Sequence, residues 1–160
     1  MIRHAGLIAR RMGGHWRGVL IEGPSGVGKS DLALRAQDLG FRLVADDRTL
    51  VFISRGRLFG RPPAVLAGLM EVRGLDVLFA PALSFAEIAL RARCVTAPDA
   101  VERLADGVRE SILGIEIPVL DFWPRASSAP VKLALALERL GARDQPEYQA
   151  RFAFPGARGR

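Results

Sequence analysis

The run Gly23-Pro24-Ser25-Gly26-Val27-Gly28-Lys29-Ser30 constrains this chain more than any other feature, because it fits G-x-x-x-x-G-K-[ST] at every position. A phosphate needs several N–H donors converging on it, and backbone amides supply them only where the chain wraps tightly. Gly23, Gly26 and Gly28 permit that curvature and the close approach it requires. Residues 17–22, with Val19-Leu20-Ile21 at their centre, read as a strand entering the loop. Residues 29–39 read as a helix leaving it, with Leu32, Ala33, Ala36 and Leu39 on one stripe and Gly40 as its terminator. The first amides of that helix and its partial positive charge favour an anion. Lys29 is expected to reach the outer phosphates, and the Ser30 hydroxyl to ligate Mg²⁺. The alternative is a glycine-rich turn with a coincidental Lys-Ser, which the flanking strand and helix argue against.

Residues 41–45 read as a second strand that closes on Asp46-Asp47. A strand–helix–strand crossover returns a parallel strand, so both strands end at the sheet edge where ligands bind. The acid pair is therefore expected beside the phosphate loop. Adjacent side chains at a strand end point to opposite sides, so the two should not share one role. One can accept the proton of an incoming hydroxyl, and the other can orient it or hold a metal or its waters. The bland alternative is a turn after a strand, where Asp is common.

Further along, residues 49–53 and 57–59 suggest a hairpin around Ser54-Arg55-Gly56, and Arg61-Pro62-Pro63 breaks regular structure. Apolar segments 65–70 and 77–79 flank Glu71-Val72-Arg73-Gly74. Residues 83–95 are apolar without a decisive period, and residues 100–112 are expected to be helical. Pro118, Pro124 and Pro130 bracket an expected loop, and residues 131–140 form an amphipathic helix ending at Gly141. The tail from residue 145 is polar and glycine-rich at its end, which suggests partial disorder.

The 160 residues suit a single domain spanning 1–160. No apolar run approaches the roughly 18 residues of a membrane span, and the N-terminus lacks the apolar stretch of a secretory signal. One cysteine, Cys94, allows no internal disulfide and reads as a small buried apolar residue. These observations point to the cytoplasm. The formal net charge of +6 comes from scattered arginines, with lysine only at 29 and 132. No basic run with interleaved aromatics accompanies it, so neither nucleic acid nor membrane is expected as a partner.

Two motifs together resemble bacterial HPr kinase/phosphorylase. The first joins Val19-Leu20-Ile21-Glu22 and the phosphate loop to Gly40-Phe41-Arg42-Leu43-Val44-Ala45-Asp46-Asp47 at matching spacing. The second, Met70-Glu71-Val72-Arg73-Gly74-Leu75, resembles that family's L-E-I-R-G-L-G signature, with Asp76 in place of the last glycine. The likeness extends from about His4 to about Lys132. It is to the short catalytic-domain form similar to alphaproteobacterial members, without the family's additional N-terminal domain.

The resemblance implies an α/β fold, a mixed sheet and helices around a P-loop, like phosphoenolpyruvate carboxykinase. It implies Asp47 as proton acceptor with Asp46 beside it, and Ser30 and Glu71 on Mg²⁺. His4 matches a family histidine before the P-loop strand, although the intervening segment is longer here. Arg103, in Glu102-Arg103-Leu104, matches a catalytic arginine. Arg73, inside the signature, could support Glu71 or a phosphate, or make a structural ion pair. The implied activity is ATP-dependent phosphorylation of a serine on the phosphocarrier protein HPr, and the implied assembly is a homo-oligomer. A family loop used in dephosphorylation, P-V-R-P-G-R-N, appears as Trp123-Pro124-Arg125-Ala126-Ser127-Ser128-Ala129, with Arg125 kept and the second arginine replaced by Ser128. That departure argues against the reverse reaction. A kinase of the same fold acting on a small molecule or another protein, and a regulator that senses nucleotide without transfer, are the alternative readings.

Overall fold

A computed structural model of the chain describes residues 1–102 and 107–141. Arg103 and the tail from residue 145 lie outside the described residues. The chain begins with a two-residue strand β1 (Ile2–Arg3), then β2 (Ala5–Met12) and β3 (His15–Glu22). Helix α1 (Lys29–Ala36) follows the phosphate loop and closes in a 3-10 turn, Gln37–Leu39. Strands β4 (Phe41–Ala45), β5 (Thr49–Ser54), β6 (Arg57–Arg61), β7 (Leu69–Val72), β8 (Asp76–Phe79), β9 (Ala86–Cys94), β10 (Arg109–Ile112) and β11 (Ile115–Phe122) come next, and α2 (Ala129–Leu140) comes last.

The expected mixed sheet is present. Its strands run β1-β5-β6-β9-β3-β2-β4, with β11 joined to β9 and β10 to β11. On one edge β9 pairs with β3 in parallel; elsewhere it takes β6 antiparallel near its start and β11 parallel near its end. It is the strand at which the sheet forks. Two apolar clusters result. One gathers Val19, Ile21, Leu32, Phe41, Leu90, Leu133 and their neighbours beneath the two helices. The other gathers Leu7, Leu20, Val51, Leu58, Ile88 and Ile117.

The strand–helix–strand reading needs one correction. β3 and β4 are parallel, but they are not neighbours, because β2 lies between them and runs antiparallel to both. The N-terminal segment thus forms a sheet strand that its two consecutive arginines conceal. It turns into β3 through Gly13-Gly14, both at positive φ, the backbone a two-residue hairpin requires. The functional consequence survives the correction: β3 and β4 still end at the same edge.

Two further expectations fail. Arg109–Ile112 is a strand rather than part of a helix, paired with β11 from Arg109↔Pro118 to Ile112↔Ile115. Pro118 lies inside β11 and does not bracket a loop. It sits where β11 leaves its last β10 partner, and pairing with β9 starts at Val119, so its missing N–H falls at a junction between ladders. The hairpin at 54–57 and the helix ending at Gly141 are as expected. Among the described residues no helix is long and apolar enough to cross a membrane.

Candidate active site

The phosphate loop leaves β3 at Gly23, whose φ is +152°. A Cβ there would lie 2.8 Å from Cys94 Cβ and 2.9 Å from the Cys94 carbonyl oxygen, so only glycine lets the loop sit against the end of β9. Val27 is buried and its amide donates to the Pro24 carbonyl at 3.2 Å, which ties the loop's far side down. Gly28 occupies the N-cap of α1 with φ +113°, and no side chain caps the helix. The first amides of α1 therefore face the loop's concavity as donors for an anion.

Lys29 is buried, and its Nζ donates to the carbonyls of Gly23 at 2.9 Å and Pro24 at 3.0 Å. An ammonium carries three donors, so a third remains for a phosphate oxygen. Ser30 Oγ donates to Asp46 Oδ1 at 2.8 Å, and Asp46 Oδ2 accepts the Glu71 amide at 3.1 Å. Asp46 thus bridges the first turn of α1 to β7. The hydroxyl proton of Ser30 is committed, which leaves its lone pairs for a cation. With the Glu71 carboxylate these are hard oxygen donors, the set Mg²⁺ prefers alongside water and phosphate oxygens.

Asp47 differs from Asp46. It sits at φ +64°, a left-handed conformation that Asp tolerates better than most residues. That kink, rather than strand alternation alone, sends the two carboxylates to different partners. Asp47 Oδ1 lies 3.1 Å from His4 Nε2, and both side chains are a little over half exposed, at 56% and 57%. Asp47 lines a cavity of about 380 Å³ together with Gly28, Lys29, Ser30, Glu71 and Arg125.

The structure therefore brings together the loop, Lys29, Ser30, Asp46, Asp47, Glu71 and His4. Arg73 also lines the cavity. Arg125 Nη2 donates to the Gly26 carbonyl at 2.8 Å, which folds the segment before α2 over the phosphate loop. Sequence reasoning missed Arg35. Its guanidinium donates to the Ala126 carbonyl at 3.2 Å and to the Pro124 carbonyl, fastening that segment to α1. From sequence it is one of the scattered arginines; it also bonds Asp31, four residues earlier, at 2.8 Å.

Cys94 forms the wall behind the loop. Burial pushes its thiol up to about 11, against a smaller opposing pull from the Lys29 charge. Its reactive thiolate is therefore scarce until the pH nears that value. Alkylation of the native protein at about pH 8 is expected to be far slower than alkylation of the denatured chain, where an ordinary thiol is already partly ionised. Equal labelling rates would show that the loop's seat is open to solvent.

Residues 13–93, just over half of the chain, match the family model for the HPr Serine kinase C-terminal domain. The chain is 32% identical over 118 residues to HPr kinase/phosphorylase of Clostridium acetobutylicum, covering 72% of this chain and 39% of that protein. It is 47% identical over 66 residues to HPr kinase/phosphorylase of Clostridium tetani, covering 41% of this chain and 22% of that protein. The chain thus spans well under half the length of these curated relatives. Among solved structures it resembles the Hpr(Ser) kinase/phosphatase from Coxiella burnetii, with a TM-score of 0.72 and 25% identity over 86% of this chain and 93% of that one.

Proposed function

The chain belongs to the HPr Serine kinase C-terminal domain family, and on that premise we propose that it is an ATP-dependent protein kinase, a single catalytic domain that phosphorylates a serine of HPr. The observation that carries this reading is the division of labour between the two aspartates. Both oxygens of Asp46 are engaged, by Ser30 Oγ and the Glu71 amide. Asp47 lines the cavity with a half-exposed carboxylate beside His4.

In this mechanism the phosphates of ATP lie on the loop amides from Gly23 to Ser30, and Lys29 donates to the outer ones. Ser30 and Glu71 would hold Mg²⁺, which when bound neutralises charge on the phosphate oxygens. The acceptor serine enters beside Asp47. Its Oγ forms a bond to the γ-phosphorus, the bond from that phosphorus to the ADP oxygen breaks, and the serine proton passes to Asp47. His4 keeps the Asp47 carboxylate turned toward the cavity. Arg125 holds the adjoining segment over the loop, where its charge favours the transferred group.

Ser128 supports the forward direction as the principal one. It stands at the N-cap of α2 and supplies no cation where the family's loop has its second arginine. The test is incubation with ATP, Mg²⁺ and purified HPr, followed by mass spectrometry to locate phosphate. Phosphoserine on HPr is the expected product. Tight ATP binding with no transfer to HPr would sink this reading and turn the search to another acceptor or to nucleotide sensing.

A further inference from the structure

Glu22 is the last residue of β3, and the phosphate loop begins immediately after it. It is buried, a costly place for a carboxylate unless paired. Arg3 donates to one of its oxygens and Arg91 to the other. The pairing continues outward: Arg91 also bonds Glu110, Arg93 meets Glu110 at 3.1 Å, and Arg93 grips Asp121 at 2.6 and 3.1 Å. Three arginines and three carboxylates balance in one chain of contacts across β1, β3, β9, β10 and β11.

What distinguishes the inner end of this chain is its relation to His4. The two neighbours of His4 are each held twice. Arg3 reaches Glu22 through its side chain and pairs with Thr49 through its backbone. Ala5 pairs with Glu22 in the β2–β3 ladder, and its carbonyl accepts the Thr49 hydroxyl at 2.8 Å. Thr49 is fully buried and lies two residues beyond Asp47. His4 is thus suspended between Glu22, which launches the phosphate loop, and Thr49, just past the acid pair.

We propose that Glu22 is a positioning residue: held by Arg3 and Arg91, it locks the His4–Asp47 pair to the base of the phosphate loop. The proposal rests on the reading that Asp47 and the loop serve one transfer. A carboxylate is required because each guanidinium takes one of its two oxygens, and an amide offers one acceptor oxygen and no charge.

The experiment compares Glu22→Gln with Asp121→Asn, which breaks the outer end of the same network. Two readouts are taken: hydrogen exchange of the segments 3–8 and 22–28, and steady-state kinetics with ATP and HPr. Glu22→Gln is expected to speed exchange in both segments and to lower kcat about tenfold or more, since slight misplacement of reacting groups is costly. The KM for ATP should stay within about threefold of wild type, because the loop amides and Lys29 remain. Glu22→Asp should recover part of kcat, and Asp121→Asn should leave both readouts at wild type. Unchanged exchange and kcat in Glu22→Gln, or equal losses in Asp121→Asn, would overturn the proposal. If Glu22→Gln does not fold, Arg91→Lys asks the same question, since it keeps the charge and loses the fork that spans Glu22 and Glu110. If the wild-type protein transfers nothing to HPr, the functional reading fails separately. Exchange then decides alone: loss of protection in both segments supports the lock, and loss in only one refutes it.

Discussion

Lys29→Ala is expected to lower phosphoryl transfer by about 10³-fold or more, the scale on which such sites depend on charge placed against the transferred group. Two effects combine. The ammonium is lost from the phosphates, and the carbonyls of Gly23 and Pro24 lose the donor that draws the loop's first turn together. Lys29→Met separates them, because it restores the bulk in a buried position without the charge. Both variants should melt close to wild type, since the strand and helix flanking the loop belong to the apolar core. Steady-state transfer assays and melting curves read these effects directly. Appreciable turnover by Lys29→Met would mean that the loop amides alone stabilise the transferred charge, and Lys29 would become a shaping residue.

Asp47→Asn should lower kcat by about 10²–10⁴-fold, the usual worth of a general base, with ATP affinity almost unchanged. Its carboxylate reaches His4 rather than the loop, so its loss leaves the nucleotide's contacts in place. Asp46→Asn should behave differently. It disturbs the acceptor of the Ser30 proton and the bridge to Glu71, so ATP and Mg²⁺ dependence should shift along with the rate. Measuring kcat and KM for ATP in both variants distinguishes the roles. If Asp47→Asn keeps its kcat and Asp46→Asn loses it, the two assignments must be exchanged.

The parts of this site that are legible in sequence are those whose chemistry fixes their spacing. The loop from Gly23 to Ser30 can be read because each position answers to a phosphate, and Asp46-Asp47 because a strand delivers them to the same edge. What hid the rest was interruption of a regular pattern. In β9 the pairing with β3 slips between Gly18↔Ile88 and Val19↔Leu90, leaving Ala89 as an extra residue. Ala86 and Ile88 therefore face one cluster, while Leu90, Ala92 and Cys94 face the other. A strict two-residue alternation is lost, so residues 83–95 gave no decisive period. A similar slip in β4, which leaves Val44 unpaired between Leu43 and Ala45, puts the adjacent Val44 and Ala45 in the same cluster. β2 escaped notice because Arg10 and Arg11 interrupt its apolar stretch, and Arg10 finds Glu138 of α2 at 2.6 Å, a partner far away in the chain. Glu22 looked like an ordinary polar strand end, because Arg91 lies far along the chain and nothing in their spacing announces a contact.

The fork at β9 also decides when this protein can become itself during synthesis. The loop motif is complete by Ser30, yet the wall it stands against, Cys94, belongs to a strand made much later. The central contacts join segments distant in the chain, a topology that delays folding because loop closure must precede its reward. A nascent chain that has emerged only as far as β8 holds the whole phosphate-binding motif and has no β9 on which to mount it. The loop therefore has no wall to stand against until β9 arrives between β3 and β6. The mounting of the loop, on this topology, comes as a late and collective event rather than with the motif itself.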